Sequence, residues 1–443
     1  MKFFRRIARS LLACAVASSA LLSGANAWAA LTAAQADALA AKAAVNDQAA
    51  LKTLRNEAQK GDPKAQNNLG TLYAEGKGVV QDHEQALQWF RKAAAQNTAA
   101  AQFNLGVYYV IGKGGVTQDY GQAAQWVRKA AQQGYAKAQN GLGLLYAEGK
   151  GVAQDFGQAA QWFRKAAEQG NADAQYGLGW LCENGKGVAQ DYGQALLWYR
   201  KAAEQGRADA QINLGVLYEK GLSVAKDYVQ AAQWYRKAAE QGNANAQYGL
   251  GQFYERGQGM AQDYSQALLW YRKAAEQGHA NAQNDLGALY NSGRGVAQDY
   301  GQALLWYRKA AEQGIAIAQF NLGYLYANGQ GVAQDLEQAL QWYRKAAQQG
   351  YAGAQANLGD FYEHGRVVSR NKAAAYALYT LYLSAVQNGS GNKIVSNIRA
   401  SLASGMTAQE IEAGKALAGK MSEPGNFSKA LDEYLAAQGS GSR

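Results

Sequence analysis

The chain has 443 residues, of which 48% are hydrophobic, and it carries a formal net charge of +10. This hydrophobic content excludes an intrinsically disordered protein. The sequence has no long run of like charges, so its positive charge gives no support for a nucleic-acid partner.

Residues 1–29 are typical of a secretory signal peptide. The basic segment MKFFRRIARS precedes the apolar segment LLACAVASSALL, and small-x-small cleavage sites follow at 25–27 and 27–29. The apolar segment is shorter than a membrane-spanning helix, and the remaining sequence has no other candidate span. We therefore expect a periplasmic or secreted protein with no stable membrane span.

A lipoprotein is an alternative, because residues 11–14 loosely resemble the site at which bacterial lipoproteins are acylated on cysteine, here Cys14. If the signal peptide is removed instead, Cys182 is the only remaining cysteine, which excludes an intramolecular disulfide. Equivalent segments have tyrosine at this position, as in Tyr146 and Tyr218. We expect Cys182 to be a buried small hydrophobic residue.

Residues 30–61 are rich in alanine and polar residues, and we predict N-terminal capping helices there. Residues 62–389 then repeat one pattern every 36 residues, with a single 37-residue step. The extra residue lies in the turn at 112–115, where an insertion disturbs no packed helix face. The pattern is marked by the tryptophans Trp89, Trp126, Trp162, Trp198, Trp234, Trp270, Trp306 and Trp342, and by a Leu-Gly pair ending at Gly70, Gly106, Gly143, Gly179, Gly215, Gly251, Gly287, Gly323 and Gly359.

The first half of each repeat is predicted to be an amphipathic helix. In residues 207–242, Ala210, Leu214 and Leu217 follow the spacing of a buried helix face. Gly215 in the middle of this helix costs about 1 kcal/mol relative to alanine. Its repetition in every unit predicts that a neighbouring helix approaches closely at this position.

The second half of each repeat is predicted to be a second helix, as in residues 191–206. Asp191, with Gln194 three residues later, is expected to cap its N-terminus, and Gly206 to end it in a left-handed conformation. The predicted buried face comprises Ala195, Trp198, Tyr199 and Ala202, and the exposed face comprises Arg200, Lys201 and Glu204.

One helix pair cannot cover its own apolar face, so neighbouring pairs must stack. The predicted fold class is all-α, a solenoid of about nine 36-residue helix-turn-helix repeats with terminal capping helices. Truncation of a ladder tryptophan to alanine is expected to cost about 3–5 kcal/mol if the side chain is fully buried.

A C-terminal capping region is predicted at 390–437, followed by a disordered tail at 438–443. Within the capping region, Thr407 and Glu410 have the spacing of a capping box at the start of a helix.

The repeated pattern AQ-x-x-LG-x-x-Y-x-x-G-x-GV-x-x-D-Y-x-x-A-x-x-W-Y-x-KAA-x-x-G resembles the Sel-one-like repeat family, a relative of the tetratricopeptide repeat. The resemblance implies a right-handed superhelix with a concave groove, and adaptor, scaffold or regulatory roles. Secreted bacterial members include host-interaction proteins, exopolysaccharide scaffolds and signalling regulators. Cysteine-rich members are linked to penicillin binding or weak β-lactamase activity, but their disulfide pair in each repeat is missing here.

In the tetratricopeptide relatives, ligands contact variable positions of the first helix. The resemblance places two such positions, four residues apart, in each repeat, and we name them the groove pairs: Asn67/Thr71, Phe103/Val107, Asn140/Leu144, Tyr176/Trp180, Ile212/Val216, Tyr248/Gln252, Asn284/Ala288, Phe320/Tyr324 and Ala356/Asp360. The residues predicted to bind a partner are an apolar strip of Tyr176, Trp180, Ile212, Val216 and Tyr248, together with Glu183, Phe103, Val107, Phe320 and Tyr324. The alternative is that these side chains pack between repeats.

The sequence contains no recognisable catalytic or metal-binding arrangement. His83, His279 and His364 lie in different repeats, and no His or Cys spacing matches a zinc site. The G-x-G turns lack the ending of a phosphate-binding loop. We therefore predict no catalytic, cofactor-binding or metal-binding residues.

The leading hypothesis is a periplasmic or secreted scaffold that binds protein partners in its groove without catalysis. One alternative is a cell-wall hydrolase or β-lactamase-like enzyme. A second alternative is an exopolysaccharide-binding scaffold, in which outward pairs such as Arg164-Lys165 and Arg200-Lys201 contact an anionic polysaccharide.

Overall fold

The structure of the protein is a computed structural model that describes residues 32–386 and 390–440. Throughout these two ranges the chain forms helices joined by turns, with 23 helices and no strand. The predicted all-α fold class is therefore confirmed. The predicted signal peptide at 1–29 and residues 441–443 of the predicted tail lie outside the described residues.

The chain divides into two compact units, which meet in sequence between Trp234 and Tyr235. Helix α12 (Tyr228–Glu240) contains this boundary. The first unit contains α1 (Ala33–Ala44), α2 (Gln48–Lys60), α3 (Pro63–Glu75), α4 (His83–Ala95), α5 (Ala99–Ile111), α6 (Tyr120–Gln132), α7 (Ala136–Glu148), α8 (Phe156–Glu168), α9 (Ala172–Asn184), α10 (Tyr192–Glu204) and α11 (Ala208–Lys220).

The second unit contains the remaining helices, which complete the repeats and end in a C-terminal capping region. They are α13 (Ala244–Arg256), α14 (Tyr264–Glu276), α15 (Ala280–Ser292), α16 (Tyr300–Glu312), α17 (Ala316–Asn328), α18 (Leu336–Gln348), α19 (Ala352–His364), α20 (Lys372–Ala385), α21 (Ser390–Ser404), α22 (Ala408–Ser422) and α23 (Phe427–Ser440). Within each unit, the second helix of a repeat packs against its own first helix and against the first helix of the next repeat.

The Leu-Gly glycines lie where the first helix of a repeat contacts an apolar or tyrosine side chain of its second helix. A Cβ atom on Gly179 would lie 2.8 Å from Cδ1 of Tyr199, and one on Gly70 would lie 2.8 Å from Cε1 of Phe90. The same close contact occurs at Gly106, Gly143, Gly251, Gly287, Gly323 and Gly359. The predicted close approach of helices at these glycines is confirmed.

The ladder tryptophans lie at the edge of the core. Trp198 and Trp306 are buried as predicted, but the other six remain partly exposed. The fully buried residue is the next one in sequence, as in Tyr199 and Tyr271. In seven repeats, the lysine three residues after the tryptophan places its Nζ 4.0–4.5 Å from the indole centroid. The lysine therefore covers part of the ring that the core leaves open.

A buried glutamine in the first helix of most repeats links three helices. The Nε2 atom of Gln175 donates to the carbonyl of Ala167 at 3.1 Å, and its Oε1 accepts from Nε2 of Gln205 at 2.8 Å. We name this series the glutamine ladder, and its other described pairs are Gln66–Gln96, Gln102–Gln133, Gln139–Gln169, Gln247–Gln277, Gln283–Gln313 and Gln319–Gln349. In the ninth repeat, Oε1 of Gln355 has no partner among the described residues, and the equivalent position 30 residues later is Ala385.

The turns use side chains to satisfy the helix ends. Asp191 caps α10 by accepting from the backbone N–H groups of Gly193 and Gln194 at 2.8 and 3.0 Å, and Gly206 adopts a φ of +85° after the helix. Both predicted caps are confirmed. In the preceding turn, Nε2 of Gln190 donates to the carbonyl of Glu183 at 2.8 Å, which satisfies an otherwise unpaired group at the end of α9.

The C-terminal helices pack against the last repeat. The predicted capping box is confirmed, because Thr407 N donates to Oε2 of Glu410 at 2.7 Å and Glu410 N donates to Oγ1 of Thr407 at 3.2 Å. Helix α23 runs to Ser440, so residues 438–440 of the predicted tail are helical. The burial of Phe427 and Leu431 anchors this helix.

Candidate functional site

The two members of a groove pair have different environments. The first member is fully buried in five of the nine repeats, as in Phe103 and Tyr176. The second member is fully buried only at Leu144. Every groove position lies in the described part of the chain, so these counts cover all nine repeats. The first position therefore serves mainly in packing.

In the first unit, the aromatic first members contact the residue that precedes the first helix of the next repeat. The ring of Phe103 lies 5.6 Å from the ring of Tyr135, which precedes α7. The ring of Tyr176 lies 5.7 Å from Tyr199, and the guanidinium carbon of Arg207, which precedes α11, lies 4.8 Å from its centroid. These contacts join one repeat to the next.

The same arrangement recurs in the second unit, which contains the predicted groove residues Tyr248 and Phe320. Tyr248 stacks on His279 with 4.5 Å between ring centroids, and Phe320 lies 5.1 Å from Tyr351. Burial lowers the pKa of His279, which keeps its Nδ1 free to accept from the backbone N–H of Ala282 at 3.1 Å. Aromatic first members thus alternate with non-aromatic ones along the repeats, a double-repeat pattern that the 36-residue ladder did not reveal.

The second members of the groove pairs are the more accessible set. Val107, Trp180 and Val216 are partly exposed, and Tyr324 is 46% exposed. Ile212, a first member, is also partly exposed. The structure describes these positions without a ligand, and their role in binding stays a prediction.

Glu183, the remaining predicted groove residue, has a contact inside the repeat. Its Oε2 accepts from the hydroxyl of Tyr199 at 2.6 Å. Burial, followed by the nearby Glu183 charge, raises the pKa of Tyr199 well above its ordinary value, so the phenol stays protonated and donates. Equivalent bonds join Tyr271 to Glu255 and Tyr379 to Glu363. Glu183 therefore has a role in packing, whatever it contributes to binding.

A carboxyl group in the second unit is held in an unfavourable environment for its charge. Asp285 accepts from the hydroxyl of Tyr248 at 3.0 Å and from Nδ2 of Asn284 at 2.9 Å. Burial raises the pKa of Asp285, and the charge of Glu255 raises it further, whereas the two hydrogen bonds and the charge of Arg256 lower it. This group stabilises the fold best when it is protonated.

The outward basic residues have partners within the chain. Besides the lysine–tryptophan contacts, Arg200 Nη2 donates to the hydroxyl of Tyr218 at 2.6 Å, in the first helix of the next repeat. At the equivalent place after Arg164, the residue is Cys182, which is 4% exposed. Burial raises the pKa of the Cys182 thiol, with a smaller opposite effect from Arg164. The predicted buried position of Cys182 is confirmed.

Within residues 32–386 and 390–440, no three or more His, Cys, Asp or Glu side chains are placed so that they could hold a metal ion. No helix in this part of the chain is both long and apolar enough to cross a membrane.

Comparison with known proteins identifies the family. The Sel1 repeat model matches nine consecutive segments, at residues 63–98, 99–135, 136–171, 172–206, 208–243, 244–279, 280–315, 316–351 and 352–381. The chain belongs to the Sel1 repeat family. Proteins of this family generally act as scaffolds for protein interactions, and the resemblance found in the sequence is confirmed. A search of curated proteins gives no significant match.

Two solved structures are similar over most of the chain. One is c5321, described as a protective antigen present in uropathogenic Escherichia coli strains displaying an SLR fold, with 34% identity and a TM-score of 0.60. The match covers 91% of this chain and 94% of that chain. The other is a Sel1 repeat protein from Oxalobacter formigenes, with 33% identity and a TM-score of 0.53, over 80% of this chain and 99% of that chain.

Proposed function

We propose that this Sel1 repeat protein is an exported scaffold that binds protein partners through its groove pairs and catalyses no reaction. The family assignment supports the interaction role, and the variation of the groove pairs supports their use in recognition. The framework around them is constant: the Leu-Gly glycines, the glutamine ladder and the aspartate caps recur from repeat to repeat.

The observation that carries the proposal is the accessibility of the second groove position. Its side chain varies from valine to tryptophan to tyrosine, and it remains partly or largely exposed at Val107, Trp180, Val216 and Tyr324. Because the fold places these residues on rigid helices, they offer pre-ordered apolar contacts of the kind that contribute most to protein interfaces.

Site-specific crosslinking tests this surface. A photoreactive p-benzoylphenylalanine replaces Trp180 in one variant and Leu197 in a matched control, since Leu197 is 43% exposed on α10 of the same repeat. After irradiation of intact cells, we expect discrete crosslinked proteins from position 180 that are missing from position 197. No crosslinks at 180, or the same set from both positions, would contradict binding through the groove pairs.

Export is proposed from residues 1–29, whose basic, apolar and small-residue segments have the order of a signal peptide. Mass spectrometry of the protein from cell fractions is expected to find an N-terminus that follows Ala27 or Ala29, in the periplasm or the medium. An intact Met1 in the cytoplasm would refute export, and an acylated Cys14 would refute a soluble exported form.

The non-catalytic role is proposed because the family typically consists of scaffolds. Purified protein is expected to give no turnover with nitrocefin and no release of fragments from peptidoglycan. A robust rate in either assay, lost on heating, would replace the scaffold proposal with the hydrolase alternative.

A further inference from the structure

The capping helix α21 carries an exposed apolar surface where the repeats end. This helix packs against α20 and leaves two isoleucines in contact with solvent. Ile394 is 62% exposed and Ile398 is 37% exposed, and their spacing of four residues places them on one face of the helix. Part of the apolar face of α21 is therefore left uncovered by the rest of the described chain.

A cavity of about 490 Å³ lies beside this face, between α19, α20 and α21. Its apolar lining includes Val395, Ile398 and Ala356, and its acidic lining is Asp360 and Glu363. Both kinds of lining can be reached from solvent, because Ile398 is 37% exposed and the side chain of Asp360 is 35% exposed. The volume lies in the range of ligand pockets, and the cavity combines aliphatic surface with carboxylate groups.

The two carboxylates of the cavity have different partners. Asp360 accepts from Nε of Arg366 at 3.2 Å and lies 3.0 Å from Nδ1 of His364, so both of its oxygens are engaged. Glu363 accepts from the hydroxyl of Tyr379 at 2.7 Å and has no cationic partner in the part of the chain that the structure describes. A carboxylate can accept about four hydrogen bonds, so the partly exposed Glu363 keeps acceptor capacity.

These groups do not suit an anion, a metal ion or a sugar. The carboxylates would repel an anionic polymer, and Asp360, Glu363 and His364 are not placed to hold a metal ion together. The ring of Tyr379 in the wall is 3% exposed, so it presents no open face to a sugar ring. A cation on an aliphatic stem matches both kinds of lining, because lysine and arginine side chains bury their stems and keep their charge at the surface.

We infer that this cavity binds a lysine or arginine side chain of a partner protein, with the stem against Val395 and Ile398 and the cation beside Glu363. The cavity includes Ala356 and Asp360, the ninth groove pair, so the inference rests on the proposed function and names the chemistry of the partner there. The acidic charge selects the partner, because an apolar side chain of the same length would leave Glu363 without a counter-charge.

Nuclear magnetic resonance of the purified protein, labelled with ¹³C in the δ1 methyl groups of isoleucine, tests this inference. The probes are acetyl-Gly-Leu-Lys-Leu-Gly-amide and its arginine analogue at millimolar concentration, with the norleucine and glutamate analogues as comparisons. The Ile398→Val variant identifies the Ile398 signal. We expect this signal to shift saturably with a basic peptide and much less with the two comparison peptides. No saturable shift with either basic peptide, or an equal shift with the norleucine peptide, would overturn the inference.

Two glutamine variants separate the effect of the charge from that of the fold. Glu363→Gln keeps an acceptor for Tyr379 and removes the charge, so it should weaken binding of the basic peptides by about two- to fivefold, as expected for one partly exposed ion pair. Glu255→Gln is the matched variant, because Glu255 accepts the equivalent bond from Tyr271 three repeats earlier, and it should leave this binding unchanged. Equal affinities of the two variants for the basic peptides would mean that the charge of Glu363 is not used, and the inference would be wrong.

Failure of this inference can be told apart from failure of the proposed function. If crosslinks from position 180 persist while no basic peptide shifts the Ile398 signal, this inference fails and the proposed function stands. If both results are negative, both fail.

Discussion

Nε2 of Gln205 donates to Oε1 of Gln175 at 2.8 Å, and this bond joins the end of α10 to the first turn of α9. The other side of the Gln175 amide bonds the carbonyl of Ala167 at the end of α8. A single buried side chain thus fixes three helices relative to one another. Loss of this side chain should therefore weaken the packing of all three helices.

Gln175→Leu is expected to lower the free energy of unfolding by about 1–3 kcal/mol, because it removes two hydrogen bonds, one to the carbonyl of Ala167 and one from Nε2 of Gln205. Urea unfolding followed by circular dichroism measures the change. Gln161→Leu is the control, since Gln161 is exposed on α8 and should change stability by less than about 0.5 kcal/mol. Similar effects of the two substitutions would show that the ladder bond contributes nothing.

Gly359→Ala should destabilise the second unit although alanine favours helices. The new Cβ would lie 2.7 Å from Cε1 of Tyr379, and such overpacking costs about 1–3 kcal/mol. Gly419→Ala is the matched variant, because nothing lies within 4 Å of its Cβ position in α22. It should stabilise by about 0.5–1 kcal/mol. Thermal unfolding measures both effects. If the two substitutions shift the Tm in the same direction, Gly359 has no close-approach role.

Tyr271→Ala is expected to cost more than Trp270→Ala, although tryptophan is the larger residue. Tyr271 is fully buried, and its truncation should cost about 3–5 kcal/mol. Trp270 is partly exposed beneath Lys273, and its truncation should cost about 1–2 kcal/mol. Denaturant titration of both variants measures the two losses in the free energy of unfolding. A larger loss for Trp270→Ala would show that the ladder tryptophan, and not the tyrosine after it, is the main core residue of this helix.

Asp285 should make stability depend on pH. Its folded-state pKa is raised, chiefly by burial, so the folded protein retains a proton that the unfolded chain releases near the ordinary value of 3.8. The contribution of Asp285 is therefore full below that value and is lost as the pH rises through the folded-state pKa.

Asp285→Asn keeps a polar side chain at this position and cannot ionise. The stability of the variant relative to the wild type is expected to increase as the pH is raised from about 4 to about 7. Urea unfolding at a series of pH values measures this difference. A difference that does not change with pH would mean that Asp285 titrates alike in the folded and unfolded states.

The sequence was sufficient for the features that depend on local pattern and period. The helix pairs and the Asp191 and Thr407 caps follow from residue spacing within short segments, and the close approach at the Leu-Gly glycines follows from their repetition in every unit. The edge position of the tryptophans could not be predicted in this way. It depends on which of two adjacent side chains in the second helix, the Trp or the Tyr after it, packs against the first helix.

The candidate site was less predictable. The groove pairs stay a prediction from the sequence, and the burial of Phe103 and Tyr176 depends on contacts with Tyr135 and Arg207, which precede the first helix of the next repeat.

The glutamine ladder also affects how the number of repeats in such a chain can change during evolution. Every interior repeat supplies one acceptor to its own second helix and one donor to the helix before it, so whole units are interchangeable. Segments 264–276 and 300–312 differ at a single residue. Unequal crossing-over between their coding sequences would delete or duplicate one 36-residue unit, and every ladder glutamine would still have a hydrogen-bond partner. The number of recognition positions can therefore change under selection while the interior packing stays the same.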